Sequence, residues 1–227
     1  MSAWHKPSSP FLKSFARRLS RGLSSKDKQL FALLMPRYGL DSDSIAGFDF
    51  SAYEAVNFEL GFGAGEHITG LALRHPGQLF IGSEVYLNGV SQLLADIEQH
   101  ALNNVRVSTG DGRLLLSGMP DASIDNVYVL FADPWPKRRH YKRRVINQAL
   151  LELVQKKLKS SGRLVIATDH MDYAKWIESV LSASSFTSML PDKQPYVTQS
   201  PEGWVSTRYE GKARAFGSEI RYYVMRK

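Results

Sequence analysis

Short apolar runs alternate with helical patterns through most of this chain, and this alternation constrains the fold more than any other feature. Strands are predicted at 55–60, 78–84, 104–108, 124–132, 163–168 and 219–225. Helices are predicted at 66–74, 87–102, 141–158 and 171–182, with Gly162 ending the third. Strands that alternate with helices form a parallel sheet with helices on both faces. We therefore predict an α/β fold with a mostly parallel sheet.

The length of the chain and its charge pattern indicate one domain preceded by a basic arm. A chain of 227 residues can bury one substantial core, so we assign 29–227 to a single domain. Residues 191–206 are polar and rich in Pro and Gly, which is typical of a surface loop. Residues 1–28 carry seven Lys and Arg side chains and a single acid, Asp27. Such an arm is typical of a targeting peptide, of a solvated tail, or of a segment that folds on RNA.

The composition excludes several kinds of site. The chain has no Cys, which rules out disulfides, thiolate metal sites and a cysteine nucleophile. Its six His are scattered, so we expect no metal site, and the spacing supports no Ser–His–Asp triad. No apolar run approaches the roughly 18 residues that cross a bilayer. We therefore expect a cytoplasmic protein, a monomer in the simplest case, with no membrane partner.

Positive charge is concentrated in one short run. The formal net charge is +7, and residues 137–144 read KRRHYKRR, so six of these eight side chains are permanently cationic. No acid follows until Glu152. A solvated helix face normally mixes charges of both signs, whereas a run of one sign is relieved by a polyanion. We interpret the run as a site for the phosphate backbone of a nucleic acid, with a plain surface charge run as the alternative.

A glycine-rich turn follows the first predicted strand and indicates a nucleoside site. Residues 59–66 read ELGFGAGE, in which Gly61, Gly63 and Gly65 allow a sharp turn and a close approach of the backbone to a ligand. The dinucleotide fingerprint would place a third glycine where Glu66 stands. Glu59 at the strand end would repel a pyrophosphate but attract an ammonium group. This favours S-adenosylmethionine, which carries an ammonium and a sulfonium but no phosphate, over NAD.

Further acids follow the next three strands. Glu84 lies about 20 residues beyond the turn, where a carboxylate accepts hydrogen bonds from ribose hydroxyls. Asp111 could reach an adenine, or it could simply cap the following helix. Asp133 stands in FADPWPK at 131–137, where two prolines restrict the backbone. A carboxylate there could accept hydrogen bonds from a base and offset positive charge, although a structural turn is the alternative.

Together these motifs resemble one known family. ELGFGAG, GSE, DPWPKRRHYKRR, ATD at 167–169 and TRYE at 207–210 resemble the tRNA (guanine-N7)-methyltransferase family, over nearly the whole chain. The resemblance implies a Rossmann-like methyltransferase fold. It implies methyl transfer from S-adenosylmethionine to N7 of a guanosine in the tRNA variable loop, and it favours an RNA role for the basic arm. After TRYE the chain departs from the family pattern with GKARAFGSEIRYY, so the shape of the substrate pocket there is not implied.

The resemblance also implies roles for individual residues. Asp133 is expected to be the catalytic acid. The residues expected to contact the cofactor are Glu59, Gly61, Gly63, Gly65, Glu84, Asp111 and Asp133. The residues expected to contact tRNA are Lys137, Arg139, His140, Tyr141, Lys142, Arg143, Arg144, Asp169, Thr207, Arg208, Tyr209 and Glu210. For Asp169, capping of the following helix is an equal alternative.

Three other functions remain open on the residues alone. An acid–proline–aromatic turn also suits methylation of an exocyclic amine. A nicotinamide-dependent reductase would share the glycine-rich turn, although Glu59 argues against it. A non-catalytic RNA-binding protein would explain the cationic run but would leave the acids at the strand ends unexplained.

Overall fold

The computed structural model describes residues 22–227 of the chain. The strands are β1 Val56–Leu60, β2 Leu79–Ser83, β3 Val105–Ser108, β4 Ile124–Leu130, β5 Leu158–Thr168, β6 Thr187–Ser188 and β7 Arg221–Arg226. The α-helices are α1 Ser25–Tyr38, α2 Glu66–Arg74, α3 Leu87–Gln99, α4 Gly112–Gly118, α5 Gln148–Lys157, α6 Met171–Ser182 and α7 Arg208–Ala215. Short 3-10 helices lie at Ile45–Gly47, Arg138–Arg143 and Pro191–Lys193.

The strands form one sheet in the order β3-β2-β1-β4-β5-β7-β6. The first five strands run parallel, and β7 lies antiparallel between β5 and β6. From β1 the sheet extends through β2 on one side and through β4 on the other, so the strand order reverses there. Ligands of open parallel sheets bind beyond the carboxyl ends of the strands at such a reversal. The predicted α/β class is confirmed, and the reversal directs attention to the carboxyl ends of β1 and β4.

Two clusters of buried apolar side chains cover the two faces of the sheet. On one face α1, α2 and α3 contribute residues such as Leu34, Ile68 and Leu93. On the other face α4, α5 and α6 contribute residues such as Leu150 and Ile177. Helices therefore lie on both faces, as the alternation of strands and helices predicts.

The helix predicted at 141–158 was wrong at its beginning, whereas its predicted end lies one residue beyond the observed end at Lys157. The helix α5 begins only at Gln148, because the side chain of Asn147 caps it and accepts the N–H of Leu150 at 3.0 Å. The cationic residues before it form a 3-10 helix instead. At its other end α5 gives way at once to β5, so Gly162 lies inside a strand and does not end the helix.

Two helices were not predicted at all, and both begin with a side-chain cap. Ser24 and Asp27 form a capping box at the start of α1, with the N–H of Asp27 donating to Ser24 Oγ at 3.1 Å. Thr207 caps α7 by accepting the N–H of Glu210 at 3.1 Å. These caps are local sequence signals that apolar periodicity alone does not detect.

The predicted basic arm falls only partly within the structure. Residues 1–21 lie outside the described residues, whereas 25–28 form the first turn of α1. The apolar face of α1 packs on the sheet through Leu30 and Leu34. Within residues 22–227, no helix has both the length and the apolar character needed to cross a membrane.

Candidate active site

A cavity of about 800 Å³ opens beyond the carboxyl ends of the strands, where β1 and β4 are neighbours. A cavity of this size accommodates a ligand as large as a nucleoside. Its walls are drawn from the segments that follow four successive strands, 59–66, 83–86, 110–113 and 130–135. The remaining lining residues come from the cationic run and from α7, and include Lys142, Arg143, Val145, Thr207, Arg208, Tyr209 and Lys212.

The glycine-rich turn presents backbone to this cavity. Gly61 and Gly63 line it with φ values of +77° and +60°, a conformation that L side chains rarely adopt. Gly65 faces α3 instead, where a Cβ would lie 2.9 Å from the Leu93 side chain, so its expected cofactor contact is corrected to a packing role. Gly89, which the sequence analysis missed, serves the same packing, because a Cβ there would lie 2.0 Å from the carbonyl oxygen of Gly63.

Glu59 reaches the cavity from the end of β1 with its side chain almost entirely buried. Its Oε2 atom lies 2.8 Å from Nδ1 of His67, which is itself 1% exposed. The His67 ring packs against the rings of Tyr128 and Trp204, each at 4.8 Å between centroids. A buried carboxylate needs such a partner, so His67 fixes the position of Glu59. No sequence motif predicts this role of His67.

Glu84 links the end of β2 to the glycine-rich turn. Its two carboxylate oxygens accept the backbone N–H groups of Gly63 and Tyr86, each at 2.9 Å. Burial raises the pKa of the Glu84 carboxyl above its usual value, and the nearby charge of Asp133 raises it further. The charge coupling indicates that acids from β2 and β4 face one cavity.

Asp111 caps a helix and also lies in the cavity lining. Its side chain caps α4 by accepting the N–H of Arg113 at 3.0 Å, and it forms an ion pair with the Arg113 guanidinium at 2.6 Å. Asp111 also lines the cavity. The capping geometry therefore holds the carboxylate at the cavity wall.

The loop after β4 carries Asp133 on the cavity wall, with its side chain exposed. Phe131 and Trp135 on either side of it have φ values of +50° and +43°, which are unfavourable for residues with a side chain. The Arg143 guanidinium lies 4.9 Å from the centre of the Trp135 ring, and His140 packs edge-on against the same ring at 5.7 Å. The cationic run thus folds back over the loop that presents Asp133.

Comparison with known proteins identifies the family. A family model described as "Putative methyltransferase" matches residues 54–222. A tRNA (guanine-N(7)-)-methyltransferase of Zymomonas mobilis is 35% identical over 215 residues, which cover 94% of this chain and 93% of that protein. One from Wolbachia pipientis is 50% identical over 165 residues, 73% of this chain and 72% of that protein. The chain belongs to the tRNA (guanine-N7)-methyltransferase family.

Solved methyltransferase structures share the fold of this family member at low sequence identity. The 16S rRNA methyltransferase KamB superposes with a TM-score of 0.56 at 14% identity, over 78% of this chain and 90% of that one. A SAM-dependent methyltransferase from Aquifex aeolicus superposes with a TM-score of 0.53 at 16% identity, over 89% and 98% of the two chains. These likenesses confirm the Rossmann-like methyltransferase fold.

Of the residues expected to contact tRNA, those in the cavity lining are Lys142, Arg143, Thr207, Arg208 and Tyr209. Lys137 and Arg139 are exposed on the 3-10 helix and its cap, outside the cavity lining. Partial burial and the neighbouring cations Arg143 and Arg139 lower the pKa of His140 below its usual value, which favours the neutral form of the ring. Asp169 at the end of β5 accepts a hydrogen bond from the hydroxyl of Tyr209 at 3.4 Å, which connects it to α7.

The structure corrects the expectation for two residues of this set. Arg144 is 2% exposed and Glu210 is 1% exposed, so neither presents its charge at the surface. Glu210 instead accepts hydrogen bonds inside the fold from Trp204 at 2.7 Å and from Tyr222 at 2.6 Å. The hydroxyl of Tyr141 donates to Asp172 at 3.2 Å, within the same cluster as Arg144.

A metal centre finds no support in the described part of the chain. Among residues 22–227, no three His, Asp or Glu side chains come together as a metal site would require. The site is therefore built from carboxylates, backbone amides and cationic side chains.

Proposed function

We propose that this protein transfers a methyl group from S-adenosylmethionine to N7 of a guanosine in the variable loop of tRNA. One observation carries the proposal: acids from four strand ends line one cavity whose mouth is cationic. The acids are Glu59, Glu84, Asp111 and Asp133, and the cations at the mouth are Lys142, Arg143, Arg208 and Lys212. Acids suit a cationic nucleoside donor, whereas cations suit a phosphate backbone.

The residues of the cavity fit S-adenosylmethionine. Glu59 would face its ammonium group, Glu84 would accept its ribose hydroxyls, and the backbone of Gly61 and Gly63 would allow a close approach. The turn lacks the third glycine of the dinucleotide fingerprint, because Glu66 occupies that position, so its sequence does not indicate a pyrophosphate ligand. When bound, the donor supplies a methyl carbon made electrophilic by the sulfonium beside it.

The acceptor half of the site must align guanine and offset charge. Guanine N7 has an unprotonated lone pair, so no general base is needed, and methylation leaves the purine cationic. Asp133 would hold the base by its amino or imino edge and would offset the positive charge that develops. Alignment of the reacting atoms contributes at most roughly 7–11 kcal/mol to a reaction of this kind. The cations at the mouth would hold the tRNA backbone, a substrate that accords with the expected cytoplasmic location.

The test is incubation with radiolabelled S-adenosylmethionine and unmodified tRNA, followed by chemical cleavage at 7-methylguanosine. The expected result is incorporation of label and one cleavage site within the variable loop. Label on an exocyclic amine, located by mass spectrometry of nucleosides, would overturn the N7 assignment. tRNA binding without affinity for S-adenosylmethionine would instead indicate a non-catalytic RNA-binding protein.

A further inference from the structure

Arg144 ends the cationic run, yet its side chain differs from those of its neighbours. It is among the largest fully buried side chains of the described residues, whereas Arg139 and Lys142 are exposed. A buried guanidinium is stable only when its charge and its N–H groups have partners. The partners of Arg144 therefore reveal its role.

The Arg144 guanidinium contacts two different parts of the chain. Its Nε donates to the carbonyl oxygen of Pro134 at 2.8 Å, directly beside Asp133. Its Nη2 forms an ion pair with Asp172 in the first turn of α6, and this hydrogen bond lowers the pKa of the Asp172 carboxyl. The guanidinium also lies 3.7 Å from the centre of the Tyr141 ring, a cation–π contact.

The loop that Arg144 contacts needs support from the rest of the fold. Phe131 and Trp135 both have positive φ values, and such conformations persist only where the surroundings impose them. The Phe131 N–H is held by the carbonyl oxygen of Ala167 on β5 at 2.8 Å, on the strand side of Asp133. Arg144 supplies the matching contact on the other side, through Pro134. Asp133 is therefore held from both sides.

We propose that Arg144 is a positioning residue, which ties the Asp133 loop to α6 and does not bind RNA. This inference rests on the proposed methyl transfer, in which Asp133 faces guanine. It divides the cationic run into two parts, since Arg143 lines the open cavity and Arg144 does not. A change at Arg144 should therefore affect turnover, and a change at Arg143 should affect tRNA affinity.

The test compares Arg144→Met with Arg143→Met, which makes the same chemical change one residue earlier. For Arg144→Met we expect kcat to fall up to roughly a hundredfold, the cost of a small misplacement, while tRNA affinity and its salt dependence stay unchanged. For Arg143→Met we expect weaker tRNA binding, with a salt slope reduced by about one unit, and any fall in kcat from the lost contact with Trp135 accompanies this weaker binding. Arg144→Lys keeps the charge but loses the planar set of guanidinium N–H donors, so we expect only partial rescue of kcat.

A second variant keeps the test decisive if Arg144→Met does not fold. Asp172→Asn removes the charge partner at a half-exposed position, and we expect a fall in kcat with unchanged KM for tRNA and an unchanged circular dichroism spectrum. The inference is overturned if Arg144→Met weakens tRNA binding and lowers the salt slope. It is equally overturned if folded variants of Arg144 and Asp172 keep the full kcat. Absence of methyl transfer by the wild-type protein would instead refute the proposed function, and this inference with it.

Discussion

Among the carboxylates at the ends of the first four strands, Asp133 differs from the others in its freedom to meet a substrate. Glu59 pairs with His67, Glu84 accepts two backbone N–H groups, and Asp111 pairs with Arg113. Asp133 is exposed and lies on a loop that other residues hold in place. The three acids that have hydrogen-bond or ion-pair partners are fixed in place, which suits binding of S-adenosylmethionine in one pose. Asp133 suits contact with the guanine that accepts the methyl group.

Asp133→Ala should abolish most turnover while the protein still binds tRNA. Loss of one electrostatic partner at a reacting centre costs about 2.7–4 kcal/mol, roughly a hundredfold to a thousandfold in kcat. Single-turnover methylation and a tRNA binding titration measure the two effects separately. Asp43→Ala, at an exposed acid outside the cavity, is the control and should leave both unchanged. Unchanged turnover in Asp133→Ala would remove Asp133 from the mechanism.

Glu84 should make binding of S-adenosylmethionine depend on pH. Burial raises the pKa of its carboxyl above the usual 4.5, and the ionised form is the one that accepts ribose hydroxyls. The Kd should therefore be constant near neutral pH and should rise as the pH falls toward and through this raised pKa. Calorimetry across this range measures the effect. Glu84→Gln should bind more weakly and lose the pH dependence, and a wild-type Kd that does not change with pH would contradict this role.

At the scale of elements, the sequence predicts those whose apolar side chains repeat with a regular period. The helices α2 and α6 begin and end where the pattern places them. The helix α7 was not predicted, because among its residues only Glu210 and Ala213 are buried, so it has no apolar stripe to detect. The role of Arg144 also lay outside sequence reasoning, since a buried arginine in a cationic run looks like its exposed neighbours until the fold brings Pro134 and Asp172 to it.

The exposed face of α7 should contribute to tRNA binding. Tyr209, Lys212 and Phe216 lie three and four residues apart and so share one side of the helix, the first two at the cavity and the last 87% exposed. An aromatic ring stacked on an unpaired base contributes about 1–3 kcal/mol. Phe216→Ala should therefore raise the Kd for tRNA by roughly fivefold to a hundredfold, measured by filter binding, without changing the Kd for S-adenosylmethionine.

The control for this prediction is another exposed apolar side chain. Leu33→Ala on α1, at a side chain that is 64% exposed, removes apolar surface outside the cavity lining and should leave tRNA affinity unchanged. An equal loss of affinity in both variants would mean that the effect is not specific to α7. Unchanged affinity in Phe216→Ala would remove this face from the RNA site.

At the scale of the whole molecule, the sequence determines where the acids lie better than where the cations lie. The acids follow strands, and parallel strands bring their carboxyl ends to one edge, so Glu59, Glu84, Asp111 and Asp133 were predicted together. Of the cations, Lys142 and Arg143 lie on a 3-10 helix and Arg208 and Lys212 lie on α7, and neither element has an apolar stripe that the sequence reveals. That the protein acts as a monomer stays a prediction.

Deletion of the basic arm would test the cationic surface separately from the acidic cavity. Five of its cations lie within residues 1–21, outside the described residues, and among residues 22–227 the cavity lining begins at Glu59. Deletion of residues 2–21 should therefore weaken tRNA binding and leave the affinity for S-adenosylmethionine unchanged. Each phosphate that is no longer neutralised should lower the slope of log K against log salt by about 0.9 on a duplex or about 0.7 on a single strand.

Titrations at several salt concentrations measure this slope, with Lys193→Ala as a control at an exposed cation outside the cavity lining. If the arm folds on RNA, removal of its five cations should lower the slope by up to about four units, because each can neutralise one phosphate. An unchanged slope would identify residues 1–21 as a solvated tail. The phosphate backbone would then be held by the cavity mouth alone, and Arg143→Met would account for a larger share of the salt dependence.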